Sequence, residues 1–127
     1  MRFLGKCVSL LCVGVIGVAC SSSSNNNGGG GGTQDTARDQ AVAASCAKAV
    51  QCNQIGAGKT YESDKVCNAN QTTFWEQAWP AKTCDGHIDA QQLQLCLDTI
   101  NASECGNAAD LVNILANKCP SQKVCGA

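Results

Sequence analysis

Charge is scarce in this chain of 127 residues: only 15% of positions are Asp, Glu, Lys or Arg, and the formal net charge is -1. That excludes the basic surface expected of a protein whose main partner is nucleic acid. Aromatic residues make up 4% of the sequence, so no large aromatic core is available. There is a single histidine, His87, which leaves little room for acid–base or metal chemistry built on imidazole. No pair of cysteines is spaced CxxC. From Cys46 onward the closest, Cys46/Cys52 and Cys119/Cys125, have five residues between them, where paired zinc ligands prefer two to four and thioredoxin-like redox sites need two. A metal site is therefore not expected, nor any cofactor, although a labile disulfide would still allow a redox role. No apolar run reaches the roughly 18–20 residues of a membrane-spanning helix.

What the chain has in excess is cysteine, eleven in all, a density that marks disulfide-stapled exported chains. Its start fits export. Arg2 and Lys6 form a basic n-region, and the thirteen uncharged residues Cys7 to Ala19 have the length of a signal-peptide h-region. The stretch ends "GVAC" and then turns polar at once with "SSSSNNNGGGGG". Small residues ending in Cys20 resemble the lipobox of bacterial lipoproteins, which implies an acylated Cys20 at the mature N-terminus; Gly17 stands where that box usually has Leu. The plain alternative is an ordinary signal peptide cut nearby, with Cys20 a simple thiol. Cysteine parity favours the lipobox. With Cys7 and Cys12 removed and Cys20 in a thioether, an even set remains: Cys46, Cys52, Cys67, Cys84, Cys96, Cys105, Cys119 and Cys125. Residues 1–19 are thus expected to be a leader, and residues 20–32 a lipidated cysteine with a disordered tether spanning roughly 20 Å. Ser21, rather than Asp, after the lipidated cysteine resembles lipoproteins sorted to an outer membrane. The expected partner on this side is the membrane, through the N-terminal lipid.

From Thr33 to the end, apolar spacing predicts an all-α domain of four short helices. The first, about 36–51, carries Val42, Cys46, Ala49 and Val50 on one stripe and opens with Thr36 and Asp39 in a capping-box-like pattern. The second, about 63–79, starts near Ser63, contains Cys67, Phe74, Trp75, Ala78 and Trp79, and stops at Pro80. The third, about 90–101, has Asp89 as cap, Ile88 and Leu93 as a hydrophobic staple, and Leu93, Cys96, Leu97 and Ile100 at helical spacing. The fourth, about 108–118, has Asn107 as cap, Leu111, Ile114 and Leu115 facing inward, and Cys119-Pro120 as its end. A core this small, with so much Ala, needs covalent staples. Eight cysteines allow 105 pairings; the one local expectation is Cys52 to Cys67, across the bend between the first two helices.

That bend contains "GAGKT", Gly56 to Thr60, which looks like the end of a phosphate-binding loop. The GxxxxGK[ST] pattern needs a glycine five before Gly58, where Asn53 stands, and a strand feeding the loop rather than a helix. A nucleotide is not expected. Gly56 and Gly58 are read as freeing a turn, with Tyr61 packing back on the core and Lys59 solvated. His87, after Asp85-Gly86, reads as a loop residue, and Glu62/Asp64 and Asp85/Asp89 as turn and cap residues. An enzyme is not the expected class. Trp75 and Trp79 share a helix face by i, i+4 spacing. They are either core or, with one indole at a rim, aromatics of an apolar groove for a lipid, a secondary metabolite or a partner helix.

The pattern "CAKAVQCNQIGAGKTYESDKVC", then "FWEQAWPAKTCDGHID", then "LQLCLDTINASECGNAADLVNILANKCPSQKVC" resembles a family of small cysteine-rich lipoproteins from myxobacteria and related bacteria. Some of these are labelled natural-product-biosynthesis lipoproteins. The resemblance covers residues 38 to 126 and the leader. Its anchors are Gly56 to Tyr61, Trp75, Trp79-Pro80, Cys96-Leu97, Glu104 to Asn107, and Lys123 to Cys125. It implies a lipid-anchored, disulfide-stapled helical domain in the cell envelope and adds little about mechanism; the function expected of such a domain is that of a binding or structural module acting by contact. The alternative it leaves open is an accessory protein or enzyme for an exported natural product.

Overall fold

A computed structural model describes residues 32–106 and 114–126. The leader, Cys20, the tether up to Gly31, Asn107 and Leu111 lie outside the described residues. Within them the protein is helical throughout, and β-pairing is confined to two isolated bridges, Gly32 with Ile88 and Ile55 with Tyr61. The class is all-α, as the spacing predicts.

Helix α1 (Gln34–Gln51) begins two residues earlier than its sequence pattern suggests. Thr33, not Thr36, is the cap: its hydroxyl accepts from the Thr36 N–H at 3.3 Å. Asp39 does not reach back to the cap and instead accepts from Arg38. The buried stripe of α1 is Ala37, Ala41, Val42, Cys46 and Ala49, while Val50, expected on it, is 59% exposed. Cys46 lies at the edge of the buried stripe, and Val50, four residues on, is turned about 40° further out, onto the solvent side. Helix α2 (Asp64–Ala78) is capped by Ser63, whose hydroxyl accepts from Val66 N–H. It runs antiparallel to α1, because cross-contacts pair Arg38 with Glu76, Ser45 with Trp75, and Cys46 with Cys67.

Pro80 ends α2 and also starts a single helical turn, α3 (Ala81–Cys84), its φ of -61° already suited to a helix entry. Helix α4 (Ala90–Ala102) is capped as expected, Asp89 accepting from the N–H groups of Gln91 and Gln92 at 2.9 and 3.0 Å. Leu93, Cys96 and Ile100 are buried, and Ile88 and Leu97 pack at the edge of the same cluster. The described part of the fourth expected helix, Ile114–Lys118, is wound as a π-helix, with Cys119 N–H donating to Ile114 O at 2.8 Å. Pro120 then starts the last turn, α5 (Ser121–Val124).

The main core gathers Trp75, Trp79, Leu93, Ile100, Ile114 and Val124, together with the alanines of α1. Trp79 is wholly buried, and both of its polar ends are satisfied. Its indole N–H donates to Cys119 O at 2.9 Å, and its carbonyl accepts from Gln34 Nε2 at 2.8 Å.

Four disulfides cross-link this frame: Cys46–Cys67, Cys52–Cys105, Cys84–Cys125 and Cys96–Cys119. The expected Cys52–Cys67 bond is not formed. Cys67 lies beyond the first turn of α2, and by then the antiparallel helix has passed the end of α1 and sits beside Cys46. Six residues at 1.5 Å each separate Cys46 from Cys52, about 9 Å along α1, which is too far for one partner to serve both. Cys52, at the C-cap, pairs instead with the loop after α4.

Candidate functional site

The stretch "GAGKT" is a closed turn. Gly56 N–H donates to Tyr61 O, Lys59 N–H to Gly56 O, and Tyr61 N–H to Gln54 O, at 2.8 to 3.0 Å. Gly56 and Gly58 have φ of 136° and 71°, a region that side chains disfavour. The segment before the turn is helix α1, and the amides of Gly56 and Lys59 are spent inside the turn. Tyr61 packs against a small cluster of Cys46, Ala49 and Cys67, and its hydroxyl accepts from Gln71 Nε2 at 2.8 Å. Lys59 is exposed. The turn's work is to return the chain so that α2 lies along α1.

That packing leaves a cleft of ≈ 380 Å³ beside the second half of α1. Its depth is apolar: Ala49, Trp75, Ile100 and Ile114 line it and are buried. Phe74, 36% exposed, stands at its side with its ring edge-on to Trp75, centroids 5.0 Å apart. Trp75 is fixed from behind by Trp79, at 4.5 Å between centroids, and its N–H donates to Ser45 Oγ at 3.2 Å. The rim is polar, with half-buried Lys48 and Gln54 on one side and exposed Glu104 and Cys105 on the other. The Cys52–Cys105 disulfide belongs to this rim.

The two tryptophans therefore divide the roles that the sequence left open for them. Trp75 lines the cleft, whereas Trp79 lies behind it in the core and does not. Phe74, one residue before Trp75, is the more accessible ring. Its position next to Trp75 on a helix already burying Trp75 and Trp79 is the signal that could have marked it, since adjacent residues cannot share one face.

The remaining candidates have structural duties. Asp85 Oδ1 accepts the backbone N–H of Gln34 at 2.9 Å, holding the start of α1 against α3, and Asp89 caps α4. Glu62 is exposed and Asp64 opens α2. His87 is exposed, its backbone N–H closing the turn to Cys84 O, and it does not line the cleft. Arg38 gathers Asp35, Asp39 and Glu76 within 3.0 Å on the outer surface. The hydrogen bonds it donates to Asp39, and the surrounding carboxylate charges, hold its guanidinium pKa above the ordinary arginine value. All eight described cysteines are spent in disulfides, so among the described residues none is a thiolate ligand or nucleophile.

No curated protein and no solved structure matches the chain. A family model does match, over residues 46–127, which spans every disulfide and the whole cleft except its Ser45 edge. On that match, covering about two thirds of the 127 residues, the chain belongs to DUF6184, a family of unknown function.

Proposed function

We propose that the protein is a lipid-anchored lipoprotein of the cell envelope whose disulfide-stapled domain binds a small, largely apolar ligand in the cleft beside α1. The observation that carries the binding reading is the cleft itself. Its volume of ≈ 380 Å³ falls within the size range of small-molecule sites, and its buried aromatic and aliphatic depth is ringed by a few polar groups. The exported, anchored reading is supported by cysteine usage. Four disulfides need an oxidising compartment, and the eight cysteines they consume leave Cys20 outside the pairing, available for a thioether. The leader "MRFLGKCVSLLCVGVIGVAC" supplies the export signal that this requires. No helix among the described residues is long and apolar enough to cross a membrane, so in this reading attachment falls to the lipid.

Two experiments test the halves separately. Anchoring is read by detergent phase partition and intact mass: the native protein should enter the detergent phase with an acylated Cys20, and Cys20→Ala should move it to the aqueous phase. An unmodified Cys20 in the mature chain contradicts the anchor. Binding is read with the fluorescent apolar probe anilinonaphthalene sulfonate on the folded, oxidised protein. Ala49→Trp, which fills the cleft from its α1 side, should abolish probe binding while helicity is retained; undiminished probe binding contradicts the site.

A further inference from the structure

The four disulfides are not equivalent in the access they give to solvent. Cys46–Cys67, Cys84–Cys125 and Cys96–Cys119 are closed in the interior, every one of their cysteines 7% exposed or less. In Cys52–Cys105, by contrast, Cys105 is exposed and Cys52 half-buried, and both stand on the rim of the cleft. Lys48 lies one helical turn before Cys52 on α1 and lines the same cleft. An ammonium group on the same face as a cysteine favours its thiolate.

We propose that Cys52–Cys105 is a thiol–disulfide exchange site, the one bridge of the four that an external dithiol opens while the fold stands. Its two sulfurs have different roles. The incoming thiolate attacks Cys105 Sγ, the accessible one, and its electron pair forms the new S–S bond. The Cys52–Cys105 bond breaks, and its pair goes to Cys52 Sγ, the leaving sulfur whose thiolate Lys48 favours before it takes a proton from water. The second thiol of the dithiol then attacks its own sulfur in the mixed disulfide and expels the Cys105 thiolate. The dithiol ends as a disulfide, and the protein gains two electrons and two protons as a pair of thiols. Exchange rates rise with access to the attacked sulfur and with a lower pKa of the departing thiol, and both conditions point the same way here.

The reaction has a consequence for the cleft. Cys52–Cys105 is the bridge that ties the end of α1 to the loop at 103–106, where Ser103, Glu104 and Gly106 form part of the lining. The other three bridges hold α2, α3, α4 and the C-terminal turns without it. Opening it frees one side of the rim and leaves the core cross-linked. The site thus couples the redox state of its surroundings to access into the cleft. This inference rests on the exposure of the bridge and its place at the cleft rim, and does not depend on the lipid anchor.

The test is partial reduction of the folded mature protein with limiting dithiothreitol, quenching by alkylation at successive times, and peptide mass mapping. Cys52 and Cys105 should be alkylated first and together, at least tenfold faster than any other pair. Brief exposure to glutathione, a monothiol, should leave its adduct on Cys105. Lys48→Gln should slow the opening a few-fold without changing helicity. The Cys52→Ser/Cys105→Ser double variant should fold with three bridges and lack the fast phase. First opening of a buried bridge, loss of all four in one step, or an adduct found on Cys52 would overturn the assignment; because the order of opening is read on the wild-type chain, a misfolded variant does not remove the test.

Discussion

Trp79 is the side chain on which most of the interior depends. It has no exposed surface, its ring lies against Trp75, and its two polar atoms tie α2 to the start of α1 and to the segment entering α5. Replacing it with Phe removes the indole donor and leaves Cys119 O unpartnered in the interior, which costs about 1–3 kcal/mol, with a further term for the smaller ring. The expected result is a clearly lower melting temperature. Phe74→Ala, one position before Trp75 and partly in solvent, should change melting little and reduce apolar-probe binding; equal destabilisation by the two would contradict the division of roles between them. Arg38 offers a contrast in charge. Its side chain is 18% exposed, but its three carboxylate partners are 50–73% exposed and screened by water. Despite three short ion pairs, Arg38→Ala should cost no more than about 1 kcal/mol in urea unfolding.

At the scale of elements, capping is where sequence and structure agree best, because a cap is a local arrangement of a few consecutive residues. Asp89 and Ser63 were recognisable from the residue type and the apolar pattern that follows, and both accept the backbone N–H groups expected of them. Asp89→Ala should lower stability by about 1 kcal/mol, measured by chemical unfolding, and Asp89→Asn should recover most of it. The start of α1 was less legible, since Thr33 and Thr36 are both competent caps and the choice is made by Asp85, fifty-one residues away, gripping the Gln34 amide. The two single-turn helices α3 and α5 left no periodic trace, being four residues each. Their signal is instead a repeated word: Pro80 and Pro120 each open a turn that ends at or beside a cysteine, and those cysteines, Cys84 and Cys125, join each other. The pairing of Cys46 rather than Cys52 with Cys67 depends on how far α2 slides along α1, which is set by the turn at Gly56 to Tyr61 and by tertiary packing. The cleft was legible only as a pair of aromatics. Its far side comes from Ile100 and Ile114, which helical spacing marks as core but cannot place opposite Trp75.

For the whole molecule, the balance lies between a thin core and a dense covalent frame. Among the described residues the two tryptophans are the only large aromatics in a buried cluster otherwise built from Ala, Val, Leu, Ile and Cys. Against this, the disulfides close segments of 21, 53, 41 and 23 residues. Taken singly, closures of that size stabilise by about 3–4 kcal/mol through the unfolded chain's lost freedom, less in combination because the loops overlap. Full reduction with excess phosphine should therefore abolish cooperative melting and most helical circular dichroism; a fully reduced domain that still melts sharply would show that packing alone suffices. The covalent frame is also what joins the fold to the proposed location, since its formation calls for an oxidising compartment. The most direct measurement is non-reducing peptide mapping, with intact mass, of the mature protein isolated from native membranes. The account predicts Cys46–Cys67, Cys52–Cys105, Cys84–Cys125 and Cys96–Cys119, no free thiol among these eight, and an acylated Cys20. Free thiols at these positions, a Cys52–Cys67 bond, or an unmodified Cys20 in the mature chain would contradict it.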